Sequence, residues 1–165
     1  MLGYSECAFW LYGNGMLGDW GAHIIDFVHD FLELGQPTKL TPHLMADHND
    51  VLFPLSSQLT MQFPKRGGHP ALELVWRDGA DCRPEIPEQF HSAQKEGGRK
   101  APKLGGAGTV LYRDGGDFAI TRGSHSSKSS VIPTAQAEQH KEHLVASNPK
   151  NGHQQAFTAA CMGED

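Results

Sequence analysis

The sequence predicts an α+β domain, an open and mainly antiparallel β-sheet with helices packed on one face. Three observations carry this. Apolar residues recur at helical spacing between Gly18 and Gly35, the period changes to two from Thr38 onwards, and a second set of short strands follows a long stretch rich in proline and glycine. At 165 residues the chain has the length of one domain, and it buries enough surface to fold without a disulfide staple.

Within the first segment Ile24, Ile25, Phe27, Val28, Phe31, Leu32 and Leu34 form a wide apolar face, with His23, Asp26, Asp30 and Glu33 between them. Asp19 stands where an N-cap or first-turn acid is expected, and Gly35 followed by Pro37 supplies the stop. Three strands then alternate apolar and polar residues: 39–45, 51–63 and 71–76. Asp47 to Asp50 and Lys65 to Gly68 punctuate them with residues suited to turns. Residues 78–106, with Pro84, Pro87 and Pro102 and little apolar content, read as a surface excursion. Strands at 109–112, 118–121 and 129–132 follow, then helices at 134–145, entered from Pro133, and 154–162. Alternate apolar positions such as Leu59, Met61 and Phe63 give the sheet one face for the helices; if the opposite face were also apolar it would need a partner.

Charge and composition narrow the function. Lys and Arg number 14 against 19 Asp and Glu, a net charge of −5, and the basic residues form no stripe that could follow a phosphate backbone, so nucleic acid is not an expected partner. No apolar run reaches the 18 or so residues of a membrane span, and the first residues lack the basic region of a secretory signal. A cytoplasmic location is expected. Cys7, Cys82 and Cys161 are odd in number and widely spaced, which favours reduced thiols.

Gly13-Asn14-Gly15-Met16-Leu17-Gly18 matches the dinucleotide fingerprint G-x-G-x-x-G, with Glu33 standing 20 residues after the first glycine. Two physical points oppose that use. Asp19 would hold a carboxylate beside the helix N-terminus where a pyrophosphate must sit, and Glu33 belongs to the same helix rather than to the end of a second strand. The segment reads better as a glycine loop leading into a substrate-facing helix.

Asp19 and His23 at i and i+4 project from one side of the first helical turns, with Gly21 leaving space above them. An imidazole moves protons near neutral pH, and a neighbouring carboxylate orients it or binds a hydroxyl. The plainer alternative is a capping acid and a surface histidine. Asp19, His23 and Asp26 with Asp47, His48 and Asp50 offer metal-ligating side chains, but no dense ligand spacing exists and turn chemistry accounts better for 47–50. Ser124, Ser126 and Ser127 sit in no nucleophile elbow; with His125 they read as substrate-side loop or plain turn residues. Trp10, Trp20 and Trp76 are candidates for a sugar site, with core packing the commoner fate of an aromatic.

The run from Phe9 to Asp26, with Gly18-Asp19-Trp20-Gly21-Ala22-His23 at its centre, resembles the catalytic helix of the Gfo/Idh/MocA family of NAD(P)-dependent oxidoreductases. The similarity extends through His48-Asn49, Phe53 to Ser57, Leu104 to Thr109, Arg122 to His125 and His153 to Gly163. The resemblance implies a C-terminal domain of the glyceraldehyde-3-phosphate-dehydrogenase-like type, a single substrate-binding and oligomerisation unit over residues 1–165. It implies His23 as the proton-transfer residue, Asp19 as its orienting partner, and Trp20, Asn14 and His125 as substrate-binding residues of a sugar or polyol dehydrogenase. An NAD-dependent glycosidase of the same superfamily is the alternative, and a non-catalytic sheet module that only dimerises is the alternative from another class. Family members carry NAD or NADP on a Rossmann domain with an E-K-P segment. Neither is found in this sequence, so the chain reads as a fragment truncated at both ends, whose expected partners are the missing nucleotide-binding domain and further copies of itself paired through the sheet face.

One expectation is open to measurement at once. With Asp19 against the fingerprint and no βαβ unit after it, the chain should show no saturable calorimetric binding of NAD(H) or NADP(H) with a Kd below about 100 μM, roughly −5.5 kcal/mol.

Overall fold

The computed structural model describes residues 8–79, 82–93, 97–102, 106–125, 127–143 and 152–163. Cys7, Ser126, Leu104, Gly105 and Val145 lie outside them. The elements are helices α1 (Gly15–Ile24) and α2 (Asp26–Phe31), then strands β1 (Lys39–Ala46), β2 (Ser56–Phe63) and β3 (Leu72–Asp78). A 3₁₀ turn at Glu88–Phe90 and the short strands β4 (Ser92–Ala93) and β5 (Arg99–Lys100) follow. The chain continues through β6 (Gly108–Tyr112), β7 (Ala119–Gly123), β8 (Ser129–Ile132), α3 (Thr134–Gln139), a 3₁₀ turn at Lys141–His143 and α4 (Gly152–Met162).

The class is mixed α and β with antiparallel pairing throughout the described strands. The single open sheet expected is corrected to three separately bonded ladders, β1-β2-β3, β4-β5 and β6-β7-β8. The excursion between β3 and β6 separates the two larger ones, and it carries its own anchor. Phe90 is buried with Ala119 and Ile132, backed by Ile86 and Val110, so a stretch of low apolar content still seeds a second core.

The principal core lies where α1 and α2 meet β2 and β3. Leu59 faces Trp76 across the ladder, Met61 faces Leu74 and Phe63 faces Leu72, which places the apolar set of both strands on one side. Val28 and Leu34 from the helical segment close over Met61 and Phe63, with Leu17, Ile25, Phe27, Leu32 and Leu111 packed around them. Each such side chain, fully buried, contributes about 1.5–3 kcal/mol. The opposite side of this ladder carries Lys39, Thr41, Gln58, Gln62, Glu73 and Arg77 with Leu44 and Val75. That composition gives subunit pairing across the face little apolar drive.

The expected single helix over 18–35 is corrected at three points. It starts at Gly15, whose φ of +70° brings it against the Phe53 ring, where a Cβ would lie only 2.9 Å away. It turns at Ile25, between α1 and α2, without losing its backbone bonds, since Ile25 N–H donates to Gly21 O and His29 N–H to Ile25 O. It ends at Phe31 in a Schellman arrangement: Leu34 N–H donates to His29 O, Glu33 N–H to Asp30 O, and Glu33 itself takes the left-handed conformation at φ 49°. The buried Leu34 is the apolar residue that such an ending turns inward.

The C-terminal part also departs from expectation. Pro133 caps α3 as anticipated, but the helix stops at Gln139 and gives way to the 3₁₀ turn. From Gln154 on, the side chains of α4 are exposed apart from the half-buried Ala159, so it is not a second helix seated on the sheet. Among the described residues no helix is long and apolar enough to cross a membrane.

Arg66, in the turn between β2 and β3, holds the helix ending in place. Its Nε donates to Glu33 O at 2.7 Å, Nη2 to Leu32 O at 2.9 Å and Nη1 to Pro64 O at 2.7 Å. The Leu32 and Glu33 carbonyls lie where the helix ends and have no intrahelical donor, and a planar fork of donors reaches both at once. Arg66→Ala should lower the unfolding free energy by about 2 kcal/mol, read as a lower urea midpoint at unchanged slope, and Arg66→Lys should recover only part of it.

Candidate functional site

The exposed side of α1 is shaped by how the helix is docked. Thr109 Oγ1 on β6 donates to Ile24 O at 3.0 Å, and the Arg122 guanidinium on β7 lies over the Phe27 ring, 4.2 Å from its centroid. These two contacts bring the end of β7, and the turn that follows it, beside the last turns of α1. Within that turn Ser127 Oγ donates to Ser124 O at 2.6 Å, and Ser124 Oγ shares a hydrogen bond of 2.9 Å with His125 Nδ1. His125 takes the left-handed conformation at φ 54°, which side chains rarely adopt.

The result is a cluster of three rings. The imidazoles of His23 and His125 stack with centroids 4.4 Å apart and planes 24° from parallel. Trp20 meets both edge-on, its centroid 6.0 Å from His23 and 5.5 Å from His125. His23 and His125 are exposed and Trp20 is half-buried. His125 keeps Nε2 open because Nδ1 is engaged, and neither ring nitrogen of His23 is bonded to protein among the described residues. An exposed imidazole with an open nitrogen, next to an indole and a second imidazole, can exchange a proton with a hydroxyl placed over the cluster.

Of the five residues singled out from the sequence, the fold thus brings Trp20, His23 and His125 together. Asn14 and Asp19 have other situations. Asn14 is the N-cap residue but its side chain makes no capping bond; it lies along Gly18, where any Cβ would collide with the amide. Asp19 is corrected from a cap to the fifth residue of α1, exposed, and it makes neither a hydrogen bond nor an ion pair with His23. The i,i+4 spacing puts the pair on one side, but the His23 ring turns to His125 instead. Gly21 is also corrected: it is buried between Leu17 and Ile25 on the core side, so it leaves no space above His23.

No family model matches the chain, and no match emerges among curated proteins or solved structures. Among the described residues no three His, Cys, Asp or Glu side chains converge where they could hold a metal ion. The glycine fingerprint does not fit a dinucleotide: Gly15 is backed by the Phe53 ring, Gly18 is covered by Asn14, and an antiparallel meander follows the helix. Trp76 is buried and its indole N–H donates to Asp78 Oδ2 at 2.8 Å, which makes it a core residue rather than a ligand platform. Ser124, weighed as a nucleophile, serves to hold the His125 ring, and Ser126 lies outside the described residues.

Sequence reasoning missed the pairing of His23 with His125. Nothing local announces it, since the contact is created by Thr109 and Arg122 docking on the helix. His125→Ala should shift the His23 ring-proton resonances downfield as the shielding ring is removed, while changing stability by no more than about 0.5 kcal/mol at this exposed position.

Proposed function

We propose that this chain is the substrate-binding and catalytic-helix domain of an NAD(P)-dependent dehydrogenase acting on a sugar or polyol, with His23 the residue that takes or returns the proton of the reacting hydroxyl. The single observation that supports the reading is the ring cluster. His23 and His125 are distant in sequence, yet their imidazoles stack at 4.4 Å with Trp20 against both, on the helix whose sequence resembles the catalytic helix of the Gfo/Idh/MocA family.

The division of labour follows from what each group has free. His23 presents ring nitrogens that no group among the described residues occupies, so it is the base for a secondary hydroxyl. His125 supports it by stacking and offers Nε2 to a neighbouring hydroxyl, its ring held through Ser124. Trp20 gives an apolar wall that the carbon side of a polyol can lie against. Asp19, exposed and without a protein partner among the described residues, binds a further hydroxyl rather than orienting the imidazole. The residues described do not fit the nucleotide, so NAD or NADP belongs to a nucleotide-binding domain that works with this one, and no step here runs through it.

The test is turnover in the enzyme that combines this domain with its nucleotide-binding partner. His23→Ala should reduce kcat by about 10² to 10⁴, the usual worth of general acid–base catalysis, with cofactor affinity nearly unchanged. Asp19→Asn should act mainly on KM, because its carboxylate does not touch the His23 ring. Near-normal turnover in His23→Ala would leave the cluster a surface packing motif.

A further inference from the structure

A cleft lies at the start of the described chain, built by residues outside the ring cluster. Ala8 to Trp10 run beside the loop after β1: Phe53 N–H donates to Ala8 O at 2.9 Å and Trp10 N–H to Val51 O at 3.0 Å. Trp10 rests one side of its indole against Phe53, centroids 3.6 Å apart and planes tilted by 36°, and its Nε1–H donates to Asn49 O at 2.9 Å. The indole is nevertheless 46% exposed, and with His48, Asn49 and Asp50 it lines an open cleft of about 550 Å³.

We propose that Trp10, His48, Asn49 and Asp50 form a binding subsite for a neutral pyranose. An indole fixed on one side and open on the other gives the flat apolar surface against which the C–H face of a pyranose ring packs. The polar groups around it are left with defined, complementary roles. Asn49 Oδ1 is used up by Val51 N–H at 2.8 Å and Leu52 N–H at 2.9 Å, so its amide NH₂ is the part left to donate. His48 Nδ1 donates to Met45 O at 3.0 Å, which leaves Nε2 as an acceptor in the neutral ring. Among the described residues, Asp50 carries two carboxylate oxygens with no hydrogen bond or ion pair to protein. Donor and acceptor side by side are what a vicinal diol requires, each hydroxyl giving one bond and taking one.

The charge of the lining sets the class of sugar. Asp50 is present and, among the described residues, no lysine or arginine lines the cleft, so a uronate, a sugar phosphate or a nucleotide would bring an anion against its carboxylate. A neutral hexopyranoside meets no such cost. The cleft volume lies within the range of small-ligand sites. This inference does not depend on the dehydrogenase reading, because it concerns binding without turnover.

The test follows the Trp10 indole N–H resonance of the whole chain while methyl β-D-glucopyranoside is added, with sodium glucuronate as the charged counterpart. A saturable shift with a Kd of about 1 mM is expected for the neutral glycoside, a value in keeping with the size of a monosaccharide, and no saturation with glucuronate. Asp50→Ala and His48→Ala, both at exposed positions, should each weaken binding about tenfold, the loss of one strong hydrogen bond, without altering the spectrum of the α1 residues. Trp10→Ala should abolish it; since Trp10 also braces Phe53, the two exposed variants decide the matter if that one does not fold. No saturation up to about 100 mM, equal binding of glucuronate, or indifference to both Asp50→Ala and His48→Ala would overturn the subsite. Binding lost in His23→Ala but kept in Asp50→Ala would overturn it too, placing the sugar at the ring cluster.

Discussion

Leu34 and Val28, almost wholly removed from solvent, seat the helix pair α1–α2 on the β2–β3 ladder, and the position of the ring cluster on α1 follows from that seating. Burial alone leaves a helix free to slide and rotate on an apolar face, because the hydrophobic effect has no direction. The directional contacts come from the backbone. Arg66 reaches the carbonyls of Leu32 and Glu33 at the end of α2, and Thr109 reaches the carbonyl of Ile24 at the end of α1. Two helix ends are thereby satisfied by two different sheets. The same contacts that remove orphan acceptors also fix which side of α1 faces the turn after β7.

Much of the fold was legible because it is written in local periodicity. Ser129–Ile132 falls where alternation placed it, β1 and β6 differ by a residue at an end, and the β2–β3 turn is the Lys65 to Gly68 segment. What could not be read is of another kind. Glycine is a poor helix former, so Gly15 reads as loop, yet its left-handed φ and the Phe53 ring beside it make it the first residue of α1. Gly35 reads as the helix stop, yet Glu33 makes the left-handed turn two residues earlier because Leu34 is drawn into the core and Arg66 holds the carbonyls. Phe90 is apolar in a polar stretch and looks incidental until Ala119 and Ile132 close on it.

The candidate site divides along the same line. Residues on one helix, Trp20 and His23, could be placed together by helical geometry, but which ring His23 would meet could not. Asp19 was the obvious partner by spacing, and an exposed carboxylate four residues away gains only a few tenths of a kcal/mol from such a pair. A stacked imidazole held by its own turn competes readily against that. His125 arrives there through β7, whose Arg122 sits on Phe27, so the decisive contact is written in the packing of residues far from either histidine.

The Trp10 cleft and the ring cluster are linked through one short piece of chain. Trp10 and Asn49 brace the segment that leads directly into Asn14 and Gly15, while Phe53 packs against both Trp10 and Gly15. Phe53 is thus shared between the Trp10 indole and the residue at which α1 begins, and α1 carries Trp20 and His23 one to two turns further on. Gly15 is the strict point in that chain of contacts. A Cβ there would meet the Phe53 ring and oppose the positive φ, pushing the helix start away from the ring that supports the indole. The glycine that makes the sequence resemble a nucleotide fingerprint is thus explained by an aromatic packing contact.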